Sequence, residues 1–423
     1  MPEFSGVMQD SWSEMMNKLI TAGMLSSLLL ATGLAHAANE SENGAQAVAP
    51  EVITIGVMAE MSGIYKDFEG PGTVVAAQMA IDDFGGKVLD VPIKLISADY
   101  QNKPEVALSI ARRWIDLDKV DMMTSLSNSA VGIGVQKLAS DKDTITINVG
   151  SGTTKLAEID CTKYGIQYAY NTYAIASGLA SGVMKTGGDT WFFITADYAY
   201  GKSMEQDARN IIEKSGGHVV GSVKVPLGTT DFSSYLLQAQ ASGAKVVALA
   251  NGGQDFVNSL KQAKEFQIDK GQQLVGTVVF ITDAKSLGKE IASGLTFTSP
   301  WYWNITDEAE QWSRRFYDKH GAMPTFIQGG VYSAVSSYLK AVEQAGTNEP
   351  EAVRKVLGEM EINDMYMKGG KIMPNGLNFH EMYLVRVKDN PSEEWDLFET
   401  VTAVPAGEAF KAYQDSECPL VAG

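Results

Sequence analysis

Residues 191–212 read WFFITADYAYGKSMEQDARNII. Trp191 to Thr195 form a short run of aromatic and β-branched side chains, the composition of a buried strand. A loop with Tyr198 and Tyr200 follows, and then Met204, Ala208, Ile211 and Ile212 recur at helical spacing. The same strand–loop–helix unit has already occurred upstream. Residues 52–58 are an apolar strand, and Gly70-Pro71-Gly72 turns into a helix carrying Val75, Met79 and Ile81. Residues 93–98 are the next strand, Pro104 opens a helix with Val106, Ile110, Ala111, Trp114 and Ile115 inward, and residues 144–149 are strand again. Downstream of the quoted stretch, strands are predicted over 219–225, 246–250 and 278–281, with helices near 233–241 and 255–266. Alternation of this kind implies parallel strands joined by helical crossovers. Two successive sets predict an α/β protein of two doubly wound lobes with parallel central sheets. The section 307–361 is mainly helical and the tail offers strands at 383–387 and 397–404. These are too few for a third domain, so the chain must cross between lobes more than once.

The amino terminus points to export. From Met16 the sequence MNKLITAGMLSSLLLATGLAHAA has one lysine, an apolar run over 19–34 and the small-residue triplet Ala35-His36-Ala37, which predicts a secretory signal peptide cut after Ala37. About 16 apolar residues fall short of the roughly 20 that span a bilayer. Residues 1–37 are thus leader and signal peptide, and the polar stretch 38–51 is a flexible leader. The formal charge of −17 disfavours nucleic acid and anionic membranes as partners. Two cysteines, Cys161 and Cys418, in an exported chain predict a disulfide.

Enzyme motifs are missing. The loop 150–154 (GSGTT) lacks the lysine of a phosphate loop, and neither cysteine sits in a CxxC. The histidines beyond the signal, His218, His320 and His380, lack metal-ligand spacing, so no metal and no cofactor is expected. Hydroxyl-rich strand ends stand out instead. Ser125-Leu126-Ser127-Asn128-Ser129 should open a helix, where free N–H groups and hydroxyls can hold a carboxylate, and Ser151 to Thr154 is a second cluster on the same rim. Helix capping alone would also use these residues. Aromatics lie in loops beyond strand ends: Tyr65 and Phe68, Tyr198 and Tyr200, then Trp301, Tyr302 and Trp303. That placement favours a ligand pocket.

The chain resembles the leucine/isoleucine/valine-type solute-binding proteins of ABC importers, which have the type I periplasmic binding fold, over essentially all of 52–420. The carrying residues are Ile55-Gly56 through Met61-Ser62-Gly63, Asp197-Tyr198-Ala199-Tyr200-Gly201, Asp231-Phe232-Ser233, Leu260-Lys261-Gln262-Ala263 and Gly330-Val331-Tyr332-Ser333-Ala334. Gly70-Pro71-Gly72, Ser97-Ala98-Asp99, Gln101-Asn102-Lys103-Pro104, Trp191-Phe192-Phe193 and Cys418-Pro419-Leu420 resemble the branch that includes binders of aromatic carboxylates. The resemblance implies that Ser129, with Ser127 and Asn128 beside it, holds a ligand carboxylate, and that Ser151, Gly152 and Thr153 form a second carboxylate loop. It places Phe68 above the ligand in lobe 1 and Tyr200 in lobe 2. Asp283 is the counterpart of the acid that holds an amino acid's ammonium. Asn251-Gly252-Gly253-Gln254 puts glycines where a tyrosine-bearing loop is usual, which leaves more room.

The expected protein is therefore a non-enzymatic, monomeric periplasmic protein. It closes around a small carboxylate and delivers it to an ABC permease in the inner membrane. An aromatic acid in a flat slot with Phe68, Tyr200 and Trp301 is favoured. A branched-chain or other amino acid, and a ligand-sensing receptor module, remain alternatives. Lobe 1 is expected over 52–172 plus 304–372 and lobe 2 over 173–303 plus 373–420, joined by a hinge of three crossover segments near 171–172, 301–302 and 369–374.

Overall fold

A computed structural model describes residues 51–421, so the leader, the signal peptide and the first part of the flexible stretch lie outside the described residues. Lobe 1 is built on a six-stranded sheet of β1 (Ile53–Ala59), β2 (Lys87–Val88), β3 (Val91–Asp99), β4 (Met122–Ser125), β5 (Ile145–Asn148) and β6 (Gly165–Gln167). Its order is β2-β3-β1-β4-β5-β6. All neighbours pair in parallel except the short β2, which returns antiparallel onto β3. β1 is buried along its whole length because helices cover both sheet faces. α2 (Pro104–Asp116) and α3 (Ser129–Ser140) pack on one face around Met58, Trp114, Met123 and Val135. On the other lie α1 (Gly70–Asp83) and the long α11 (Phe326–Ala345), with α10 (Asp307–His320) beside α1.

Lobe 2 repeats the winding. β7 (Thr190–Ala196), β8 (His218–Val225), β9 (Val246–Ala250) and β10 (Gln273–Gly276) form a parallel sheet of order β10-β9-β7-β8. Its helices include α4 (Thr172–Lys185), α5 (Ala199–Lys214), α6 (Ser233–Ala241), α7 (Gln254–Glu265) and α8 (Ile281–Leu287). The short strands β12 (Glu361–Ile362), β13 (Gly370–Ile372) and β14 (Asn378–Phe379) form a small antiparallel sheet of their own, and a further antiparallel sheet extends lobe 2, with β15 (Met382–Val387) between β11 (Thr296–Ser299) and β16 (Phe398–Val404). In each lobe the first strand has neighbours wound in opposite directions. That topological switch opens a crevice at the carboxyl ends of β1 and β4, and another at those of β7 and β9.

Three details depart from the sequence reading. The predicted strand over 278–281 is no strand: β10 ends at Gly276, and Ile281 already opens α8. The run Val278, Val279 and Phe280 is apolar because it is buried beneath the interlobe cleft, so burial there comes without a ladder. The third crossing lies later than 369–374. Residues 376–378 stay with lobe 1, where the Gln167 N–H donates to the Gly376 carbonyl at 2.9 Å and the Asn378 amide donates to the Tyr168 carbonyl at 3.0 Å. The chain leaves only between Phe379 and Met382. Trp301 is core: it stacks on Tyr366, lies against Gly329 and donates its indole N–H to the Met365 carbonyl at 3.1 Å.

Cys161 and Cys418 form a disulfide with a Cα separation of 5.6 Å. Among the described residues no helix is long and apolar enough to cross a membrane, and no cluster of His, Cys, Asp or Glu has the arrangement of a metal site.

Candidate functional site

The two crevices face one another, and their loops close on a common cavity. Lobe 1 contributes Tyr65 and Phe68 after β1, Ser127 after β4, Gly150 after β5 and Tyr170 after β6. Lobe 2 contributes Tyr198 and Tyr200 after β7, Gly252 after β9, and Val278 and Phe280 after β10. In this closed arrangement about 20 Å³ is left open to the centre of a water molecule, room for roughly one water. Phe68 and Phe280 stack face to face across the cleft at 4.0 Å and 5°, and Phe280 continues the stack onto Phe326 at 4.8 Å. The Tyr65 hydroxyl donates to the Tyr198 hydroxyl at 2.7 Å. Gly253, at φ +60, brings lobe 2 backbone against lobe 1: a Cβ there would lie 2.8 Å from the Ile64 carbonyl, so only glycine fits.

Local sequence explains how the lobe 1 wall is held. Thr325 and Gln328 form a capping box at the start of α11. The Thr325 hydroxyl also donates to the Phe68 carbonyl at 2.6 Å and the Gln328 amide to the Glu69 carbonyl at 3.1 Å, which fixes the loop carrying Phe68. Glu69 then turns inward. Its carboxylate accepts the Glu60 N–H at 2.9 Å, the Tyr100 hydroxyl at 3.1 Å, the Ser125 hydroxyl at 2.5 Å and the Ser127 N–H at 3.1 Å. Burial raises its pKa from the ordinary value, against the pull of those hydrogen bonds. Behind it, burial lifts Glu60 to about 7, and the charges of Glu69 and Asp99 add to the effect.

Of the residues singled out from the sequence, Tyr65, Phe68, Ser127, Tyr198, Tyr200 and Gly252 reach the cavity. The others lie one layer below or elsewhere. Asn128 caps α3 by accepting the Ala130 N–H at 2.8 Å. The Ser151 hydroxyl is turned onto the Leu126 and Asn128 carbonyls, and the Ser129 oxygen accepts the Thr153 N–H at 3.3 Å. These hydroxyls stitch the two loops to each other, as capping chemistry does. Gly152 packs on the Tyr170 ring. Asp283 faces a separate outer cleft of about 530 Å³, together with Lys66, Asp67, Lys285 and His320. Its carboxylate accepts the Phe280 N–H at 3.0 Å and so caps α8, and burial pushes its pKa up to about 7. Trp301 lines neither space.

Sequence reasoning passed over Tyr170, Phe280 and Glu69. Phe280 was hidden in a run that resembled a strand, and Tyr170 carried no signal. Glu69 could have been noticed as an acid directly ahead of Gly70-Pro71, inside an otherwise apolar neighbourhood.

The cavity lining is aromatic, hydroxylic and uncharged. Such a surface can hold a flat apolar body and a few polar contacts, but offers no counter-ion to a buried ammonium.

Comparison with known proteins agrees with this architecture. The sequence model of the periplasmic binding protein family matches residues 52–392. A periplasmic binding protein from Burkholderia mallei is 42% identical, with a TM-score of 0.86 over 88% of this chain and 99% of that one. A branched-chain amino acid ABC transporter periplasmic ligand-binding protein from Burkholderia xenovorans is 38% identical, with a TM-score of 0.79 over 87% of this chain and 99% of its own. The Leu/Ile/Val-binding protein homolog 6 of Brucella melitensis is 20% identical over 323 residues, 73% of this chain and 80% of the relative. The chain therefore belongs to the periplasmic binding protein family, as a solute-binding protein of the leucine/isoleucine/valine type that serves ABC transporters.

Proposed function

We propose that the protein is exported through the signal peptide that begins near Met16 and ends at Ala37, captures a small aromatic carboxylate between its lobes and presents it, as a monomer, to an inner-membrane ABC permease. The observation that carries this reading is the cavity lining, in which Tyr65, Phe68, Tyr170, Tyr198, Tyr200 and Phe280 surround Ser127 with no charged side chain among them. A flat ring matches such walls by stacking. An α-amino acid would bring an ammonium that must meet a carboxylate once buried, at a cost of several kcal/mol if it does not. Asp283, the acid that could have served, is engaged at the Phe280 N–H and faces the outer cleft. With about 20 Å³ open in the closed form, a ring must part Phe68 from Phe280 to enter, so capture requires the lobes to open and then close on the ligand.

A calorimetric and thermal-shift panel tests the reading. Benzoate-like and cinnamate-like acids are expected to bind and raise the melting temperature, and leucine and phenylalanine to leave it unmoved. Binding of amino acids alone would overturn the aromatic assignment and restore the amino-acid alternative.

A further inference from the structure

Glu69 is a fully buried carboxylate behind the lobe 1 wall of the cavity, and all four groups that hydrogen-bond to it are neutral. The charged and titratable groups around it are Glu60 at the end of β1 with Asp99 beyond it, Tyr100 after β3 and Tyr170 after β6. Among the described residues no lysine, arginine or histidine hydrogen-bonds to Glu69 or Glu60. The Ser125 hydroxyl at the end of β4 and the Ser127 N–H in the segment leading to α3 are donors on the cavity side of lobe 1, and both already point at Glu69. What remains free at this wall is the Ser127 hydroxyl oxygen. It is buried, makes no hydrogen bond of good geometry although its hydroxyl is near enough to Glu69 to pull that carboxyl's pKa down, and is pressed so closely by Gly150 that a Cβ there would lie 2.0 Å away.

We propose that Glu69 fixes the direction in which an aromatic acid lies in the cavity: the lobe 1 end takes an uncharged ring hydroxyl, which donates to the Ser127 oxygen, and the carboxylate faces away from lobe 1. This rests on the aromatic-acid reading above and narrows it to acids with a hydroxyl and a carboxylate at opposite ends of the ring. A ligand carboxylate placed against Ser127 would put a second anion beside Glu69 in a water-poor space with no cation to offset the repulsion. A hydroxyl reverses the sign, because its hydrogen is drawn toward the same negative field while the buried Ser127 oxygen gains a partner. On the lobe 2 side of the cavity the phenols of Tyr198 and Tyr200 are the polar groups that a carboxylate can meet.

The test is calorimetry with two probes, 4-hydroxybenzoate and benzoate, on wild type, Glu69→Gln and Ser127→Ala. Wild type is expected to bind 4-hydroxybenzoate about tenfold more tightly than benzoate, one hydrogen bond's worth. Glu69→Gln should shrink that ratio by strengthening benzoate, since the repulsion is gone. Ser127→Ala keeps the backbone bond to Glu69 and should weaken 4-hydroxybenzoate about tenfold while changing benzoate less than about twofold. If Glu69→Gln does not fold, Ser127→Ala decides alone. Equal weakening of both probes by Ser127→Ala, an unchanged ratio in folded Glu69→Gln, or a wild type that prefers benzoate overturns the orientation and leaves the aromatic-acid reading standing. A wild type that binds neither probe but binds leucine or phenylalanine overturns both.

Discussion

On the hinge side of the cleft, lobe 1 is joined to the tail that follows β16 by the Cys161–Cys418 bond. There Glu158 accepts the Lys411 ammonium at 3.3 Å and the Glu417 N–H at 2.5 Å. Nearby, the Asp207 carboxylate of α5 takes the hydroxyls of Thr154 and Thr172, so lobe 2 reaches across to the loop after β5. At the mouth the same two lobes meet through Phe280 stacked on Phe68 and on Phe326, one phenol–phenol bond and a long backbone contact from the Gln254 N–H to the Ile64 carbonyl at 3.4 Å. Covalent and buried polar links persist through a rotation only if they lie close to its axis. Ring faces and single hydroxyl bonds can part and re-form at a cost of about 1 kcal/mol each. The difference marks the tail side as the pivot and the Phe68–Phe280 side as the opening edge, which is how hinge closure around a ligand is arranged.

The largest effect is expected from breaking the pivot. Replacing both cysteines, Cys161→Ser with Cys418→Ser, releases a loop closed over a sequence separation of 257. In the chain-entropy model the loss is roughly 5 kcal/mol, less whatever strain the bond holds. Urea unfolding should show that loss while ligand affinity stays within about twofold of wild type, a ceiling well under 1 kcal/mol. Full stability without the bond would mean that the tail is held by Glu158 and its partners alone.

At the mouth, Asp283 holds the Phe280 N–H and with it the position of the stacking ring. Its pKa of about 7 in the folded chain lies above the ordinary 3.8, and burial is the first cause. Between those values the folded state binds more protons than the unfolded, so this group's contribution is fully present below the lower value. It is lost as pH rises through about 7, at no more than about 1.4 kcal/mol per pH unit. Glu60 and Asp255 act in the same direction, since burial raises both. The difference between wild type and Asp283→Asn is therefore the quantity to measure. Asn keeps an acceptor for the Phe280 N–H, and the variant should gain on wild type from pH 5 to about pH 7 and level off above it in thermal unfolding. A constant difference across that range would show that Asp283 is already charged in its cap.

The contrast between pivot and mouth also separates what was legible in the sequence from what was not. Alternating strand and helix patterns are local, so both parallel sheets and their crossovers could be read, as could Phe68, Ser127 and Tyr200 at strand ends. Burial was legible but its cause was not. Phe280 is covered by Phe68 and Phe326 of the facing lobe while Val279 lies beside Gly276 of its own, and an apolar run of that length reads the same whether a sheet or a cleft covers it. Ser129, Ser151 and Thr153 have the chemistry of a carboxylate clamp, yet their hydrogen-bonding atoms are engaged with, or buried beside, the adjoining loop. Nothing local in sequence could say that Glu69, 58 positions from Ser127, had taken the donors first. Trp301 went astray for the same reason, since Tyr366 and Met365, which enclose it, arrive from the far end of the chain.

The smallest effect expected is at the phenol–phenol bond that spans the mouth. Tyr65 and Tyr198 come from loops after the first strands of their sheets, and their hydroxyls meet at 2.7 Å only when the lobes are closed. Deleting either hydroxyl, Tyr65→Phe or Tyr198→Phe, leaves the other partly buried and without that partner, so each single variant should weaken aromatic-acid binding by about 1 kcal/mol, near fivefold. The ring surfaces are unchanged, so stacking and stability should be conserved. If the bond is a latch, the double variant will cost about as much as one single variant, and the cycle will show a coupling of 0.5 kcal/mol or more. If the two losses simply add, each hydroxyl acts on the ligand separately and the mouth is closed by the ring stack alone. Small-angle scattering on the ligand-free double variant supplies the second reading, because a latch that contributes to the closed form must, once removed, move the population toward a more extended one.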